Sequence, residues 1–144
     1  MRKSREIRDG LEVWDRLFTI FRTLLREAER NLSTLGISWS EYKLLSIIEG
    51  EAKPMAALAA DMMLSPAAVT SIVDRLESQE LVRRSRCAED RRLVKVQLTE
   101  RGMDVLTKAE EIHNRYVESI LPSLISQLEE VVKEAKDILI EKTN

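Results

Sequence analysis

At 144 residues, with 44% apolar and 33% charged side chains, the chain can bury one modest core and is too apolar for wholesale disorder. Four glycines and three prolines exclude a many-stranded β fold, and one cysteine excludes a disulfide framework and suits a reducing cytoplasm. Charged residues follow Met1 at once, so no secretory signal is expected, nor any bilayer-spanning segment; the net charge of −2 argues, as an average, against nucleic acid.

The N-terminal third reads as one long helix. Ile7, Leu11, Trp14, Phe18, Phe21, Leu25, Ala28 and Leu32 recur at alternating four- and three-residue steps, the spacing of an interhelical seam. A second stripe, Val13, Leu17, Ile20 and Leu24, lies beside it. Two adjacent stripes predict a helix packed on its own domain and also on a second copy of the chain. Gly36 ends this element.

Ser38-Trp39-Ser40-Glu41 has the pattern of a capping box and opens a helix carrying Tyr42, Leu44, Leu45, Ile47 and Ile48, closed at Gly50. Pro54 starts a short helix over 55–61, with Ala56, Leu58 and Ala59 as packing positions. Met62-Met63-Leu64 makes a tight connection, and Ser65-Pro66 opens the next helix with serine as N-cap and proline in the first turn. The period then changes. Residues 81–86 and 93–98 flank a charged tip and read as a two-stranded antiparallel ribbon. Thr99 caps a helix through Leu106, Ala109, Ile112, Tyr116 and Ile120 that is expected to break at Pro122. Ser126-Gln127-Leu128-Glu129 reads as a further capping box, opening a last helix with Leu128, Val131, Val132, Ala135, Ile138 and Leu139 inward. The fold class expected is mainly α with a small β-ribbon. A winged helix-turn-helix over 38–98 is flanked by dimerisation helices at 7–34 and 100–142, in one domain over 1–144.

The helix opened by Ser65 buries Val69, Ile72, Val73 and Leu76 and presents Ala67, Thr70, Ser71, Asp74, Arg75 and Ser78. A helix entering a DNA major groove needs such a slim leading end and donors that reach base edges. Taken alone, that face is equally a capped and solvated one. The ribbon separates the two readings. Between Arg83 and Lys95 stand six basic residues (Arg83, Arg84, Arg86, Arg91, Arg92, Lys95) against Glu89 and Asp90, so this segment is +4 and the remainder −6. A protruding tip bearing Arg86, Arg91 and Arg92 suits the narrow, negative minor groove beside a recognition helix. Asp90 is expected to pin a neighbouring arginine by a bidentate pair.

Residues 81–102, Leu-Val-Arg-Arg-Ser-Arg-Cys-Ala-Glu-Asp-Arg-Arg-Leu-Val-Lys-Val-Gln-Leu-Thr-Glu-Arg-Gly, resemble the wing signature of MarR-type regulators: an Asp-Arg-Arg tip, a strand ending in Leu-Thr, and a glycine three residues on. Residues 64–70 and 73–77 are similar to that family's recognition helix. The resemblance implies a transcriptional regulator, a repressor in the main reading, that binds a pseudo-palindromic duplex as a homodimer built from N- and C-terminal helices. It also implies release by a small aromatic or lipophilic effector. Asp90 and Arg92 match the wing pair, with Arg92 implied as the minor-groove arginine, and Ser65, Thr70 and Arg75 match positions that contact base edges or phosphate. Two departures stand out. Ser71 occupies a site where many relatives are basic, and Glu80 replaces a frequent glycine before Leu81.

The lone histidine, His113, lacks companions for a metal site and reads first as a polar packing residue. Phe18, Arg22, Trp39 and His113 are the candidate lining of an effector pocket. Cys87 reads as an incidental thiol, with a redox switch as one alternative function; a winged helix docking an acidic protein is the other. No phosphate loop and no paired nucleophile and base are present, so neither catalysis nor a cofactor is expected.

Overall fold

The computed structural model describes residues 2–144, with side chains from Arg8 onward, so Ile7 of the predicted seam lies outside the described side chains. The order is α1 (Arg2–Ser33), α2 (Trp39–Ile47), β1 (Lys53–Pro54), α3 (Met55–Met62), α4 (Pro66–Ser78), β2 (Val82–Arg86), β3 (Val94–Leu98) and α5 (Glu100–Thr143). The chain divides into two compact units, Glu29–His113 and a second made of Met1–Ala28 with Asn114–Asn144.

In the first unit α2 and α4 start at the serine caps that sequence reasoning names, whereas Pro54, before α3, makes no side-chain cap bond. Ser38 Oγ accepts from the Glu41 amide at 3.1 Å while Glu41 Oε2 accepts from the Ser38 amide at 3.0 Å, a complete capping box. Ser65 Oγ accepts from the Ala68 amide at 3.2 Å, with Pro66 at the first helical position. Helices α3 and α4 are bent by 111° across residues 63–65, the geometry of a helix-turn-helix. Leu45, Leu58, Val69, Val73, Leu76 and Val96 meet in the core with no more than a trace of exposure. Each such side chain contributes about 1.5–3 kcal/mol of hydrophobic stabilisation.

The ribbon has a third strand that the sequence reading lacks. β3 is central in the order β1-β3-β2, pairing antiparallel with Val82–Arg86 on one side and with Lys53 and Pro54 on the other. Two residues are too few to show a period, and proline, lacking a donor, is tolerated only at such an edge. Ala56, expected to pack, is exposed, whereas Leu58 and Ala59 are buried as expected. α4 ends with the amides of Glu80 and Leu81 donating to the carbonyls of Glu77 and Leu76, at 2.9 Å each, and Glu80 adopts φ 61°. This is the left-handed closure that glycine favours, built here with glutamate.

Helix α5 runs unbroken from Glu100 to Thr143, entering the second unit at Asn114, with Pro122 inside it, which corrects the expected break and the separate last helix. An interior proline costs about 3 kcal/mol or more. Here α1 holds α5 on both sides of the proline: Tyr116 Oη donates to the Leu24 carbonyl at 3.0 Å, and Arg16 pairs with Glu130 at 3.5 Å and also with Glu134. Ser126 caps nothing; its hydroxyl donates to the Pro122 carbonyl at 3.2 Å. Val131 is buried, and Ala135 and Ile138 partly so, but Leu128, Val132 and Leu139, expected inward, are exposed. On α1, Val13, Ile20 and Leu24 of the second stripe are half-buried but Leu17 is exposed, and Leu11, Trp14 (67% exposed), Phe18 and Phe21 (60%) are open. Among the described residues no single helix is long and apolar enough to cross a membrane.

Candidate nucleic-acid interface

Helix α4 divides its faces as its sequence requires. Val69, Val73 and Leu76 are buried and Ile72 partly so, while Ser65, Ala67, Thr70, Ser71, Asp74, Arg75 and Ser78 are exposed. Ala67, Ser71, Arg75 and Ser78 follow at four-, four- and three-residue steps and so share one stripe. The N-terminal end of that stripe is narrow, and Thr70 keeps its hydroxyl close by donating to the Pro66 carbonyl at 2.9 Å. Arg75 is exposed over 67% of its side chain, yet its Nε is held 3.1 Å from Oε1 of the buried Glu41.

The wing is fastened to this helix by one arginine. The Arg84 Nη groups pair with Glu77, at 3.2 Å, and with Asp74, and the Arg84 amide donates to Glu77 Oε2 at 3.2 Å. Arg84 shares with Val82 the strand face turned toward the core, because side chains two apart lie on one side of a strand. Its charge is neutralised locally, so the positive field of the wing comes from Arg83, Arg86, Arg91, Arg92 and Lys95.

At the tip, Asp90 does not pin a guanidinium: among the described residues no arginine is in ion-pair distance of it. Instead Asp90 Oδ1 accepts from the Arg92 amide at 3.0 Å and its carbonyl accepts from the Leu93 amide at 3.0 Å. Asparagine-like side chains of this length fold back onto the amide two residues ahead, and that local bond wins over the longer reach to a mobile guanidinium. Asp90 therefore shapes the turn. Arg86 Nη1 donates to the Arg91 carbonyl at 3.3 Å, while Arg91 and Arg92 are exposed and pair with no described carboxylate.

At the base of the wing the Leu98-Thr99 end and Gly102 act together. Thr99 Oγ1 donates to the Glu80 carbonyl at 2.7 Å and accepts from the Gly102 amide at 2.9 Å; the Thr99 amide donates to the Leu81 carbonyl at 3.1 Å. One threonine thus caps α5 and ties it to the end of α4.

The arrangement is an exposed helix stripe and a basic, turn-closed tip held on one lobe. The chain as a whole is similar to known proteins. The MarR family profile matches residues 37–94. The HTH-type transcriptional regulator YhbI of Bacillus subtilis (strain 168) is 30% identical over 105 residues, 69% of this chain and 68% of that protein. The chain belongs to the MarR family. The transcriptional regulator ZitR of Lactococcus lactis subsp. cremoris (strain MG1363) is 33% identical over 92 residues, 64% of this chain and 61%, less than two thirds, of that protein. Among solved structures, the MarR-family regulator AbsC of Streptomyces coelicolor aligns with a TM-score of 0.73 and 26% identity, covering 89% of this chain and 92% of AbsC. The relatives are regulators of transcription rather than enzymes.

In this MarR-family chain the four candidate effector residues fall into two pairs. Phe18 and Arg22 stack on α1, with the guanidinium 5.7 Å from the ring centroid. Trp39 and His113 pack edge to face at 5.1 Å, and Tyr42 joins both at 5.5 Å. Burial, then the nearby Lys43 charge, holds the His113 pKa below its usual value, so the neutral ring is favoured. Burial also raises the Tyr42 pKa. No group of metal-binding side chains forms among the described residues. The Cys87 thiol is shifted down, first by the backbone N–H of Asp90 and then by that of Glu89. Sequence reasoning missed the Glu41–Arg75 and Arg84–Asp74–Glu77 pairs. Glu41 carried a signal only for its capping role, and residues far apart in the chain leave no spacing to read.

Proposed function

We propose that this MarR-family chain is a sequence-specific transcriptional repressor that binds a pseudo-palindromic DNA duplex as a homodimer. The exposed Ala67, Ser71, Arg75 and Ser78 stripe, latched through Arg84 to a tip whose Arg91 and Arg92 pair with no described carboxylate, carries this reading. Ser65, Thr70 and the α4 N-terminal amides face phosphate and base edges, while Arg92 enters the minor groove with Arg86 and Arg91 beside it. Asp90 serves DNA indirectly, by closing the turn that presents Arg92.

The open Leu11, Trp14, Phe18 and Phe21 seam on α1 and the open Leu128, Val132 and Leu139 on α5 support a second copy as their cover. Exposed apolar residues at heptad spacing are the signature of a helix awaiting a partner. A small aromatic or lipophilic molecule is the effector class we assign, supported by the Trp39, Tyr42 and His113 ring cluster.

Selection of bound duplexes from a random pool tests the reading. Enrichment of an inverted repeat with half-sites about ten base pairs apart is expected for two-fold recognition helices in successive major grooves. Absence of any enriched sequence, together with a monomer in sedimentation equilibrium at micromolar concentration, would refute it.

A further inference from the structure

Glu41 is nearly inaccessible, with 2% of its side chain exposed, and its two oxygens do different work. Oε2 accepts from the Ser38 amide and completes the α2 cap. That task needs only a neutral acceptor, and glutamine fills it as well as glutamate. Oε1 faces the Nε of Arg75 at 3.1 Å, one helix away on α4. A buried carboxylate requires a compensating charge, and Arg75 supplies it.

The closest approach of this ion pair is through Nε. Arginine recognises a guanine edge or a phosphate by its paired outer N–H groups. With Nε closest to the buried carboxylate, two-thirds of the Arg75 side chain remains exposed, and the ion pair restricts how the guanidinium can turn. An unanchored arginine has several rotatable bonds to order on binding, and ordering a long side chain opposes association.

We propose that Glu41 is a positioning residue for DNA recognition, acting from beneath the recognition helix by holding Arg75 through Nε so that its Nη fork meets the duplex in one orientation. This rests on the DNA-binding reading above.

Glu41→Gln separates the two tasks. The amide oxygen keeps the Ser38 bond, but its –NH2 then faces the Arg75 Nε–H, donor against donor. The full-length protein, Glu41→Gln, Arg75→Ala and the double variant are titrated by fluorescence anisotropy with a duplex recovered from the random pool and with its scrambled counterpart. Circular dichroism confirms that helix content is kept. Glu41→Gln is expected to weaken the selected duplex about three- to tenfold, with a smaller effect on the scrambled one, and to have less than a twofold effect when Arg75 is already alanine. In the free protein the Arg75 Nε–H resonance should exchange slowly and lose that protection in Glu41→Gln.

An undiminished Glu41→Gln effect in the Arg75→Ala background would mean Glu41 acts through the cap and would overturn the proposal, as would wild-type affinity for Glu41→Gln. Either result leaves DNA binding intact. Wild-type protein that binds neither duplex overturns both readings together.

Discussion

Gly102 lies against the backbone of Leu81: a β-carbon at position 102 would stand 2.0 Å from the Leu81 carbonyl oxygen. That oxygen belongs to the bond with the Thr99 amide that closes the base of the wing, so it has no freedom to retreat. Gly102→Ala should therefore destabilise the fold by roughly 1–3 kcal/mol, as overpacking does. Urea unfolding measures this; an unchanged midpoint would show that the α5 start is not wedged there.

Glu80 holds φ 61° at the end of α4, where a side chain is strained. A left-handed non-glycine residue costs about 1–2 kcal/mol, and glycine's extra unfolded-state freedom returns about half of that. Glu80→Gly should stabilise by roughly 0.5–1 kcal/mol. The ion pair it removes, Glu80 to Arg101 at 3.6 Å, is too exposed to reverse the sign. A lower thermal midpoint in the variant would contradict this.

His113 makes stability depend on pH in a definite direction. Its folded pKa is depressed, so between the folded and unfolded values the unfolded state binds more protons. Its contribution is then complete above about pH 6.5 and lost as pH falls through that value toward the folded pKa. Wild type should lose more stability on acidification across this window than His113→Phe. Parallel curves would place the histidine outside the energetics of the Trp39–Tyr42 cluster.

The Cys87 thiol, stabilised as thiolate by the Asp90 and Glu89 amides, should react with iodoacetamide along a pH profile whose midpoint lies below that of free cysteine. A wild-type midpoint at or above the ordinary value would mean those amides do not face the sulfur.

Most of the fold was legible because it rests on local signals. The Ser38 and Ser65 caps, the α4 face of Val69, Val73 and Leu76, and the two longer strands each follow from short-range pattern. What escaped was non-local. Lys53 and Pro54 become a strand only because β3 offers an edge, and Pro122 stays helical because α1 grips α5 through Arg16 and Leu24. The candidate site divides in the same way. The exposed stripe and basic tip are visible in the sequence, but which arginines are free is decided by carboxylates from other turns. Arg84 is held by Asp74 and Glu77, and Arg75 by Glu41, whereas Asp90 prefers the nearby Arg92 amide to any guanidinium.

On the reading proposed above, the α4 stripe and the Arg91–Arg92 tip together read duplex DNA. Anisotropy titration of a selected duplex over a salt series, for wild type, Arg92→Ala and Arg91→Ala, tests it most directly. For wild type, log affinity should fall steeply and linearly with log salt, as several phosphates are neutralised. Arg92→Ala should weaken specific binding by roughly 1–3 kcal/mol, and loss of a phosphate-contacting arginine should reduce the slope by about one. A shallow slope for wild type, with both variants binding as tightly, would contradict it.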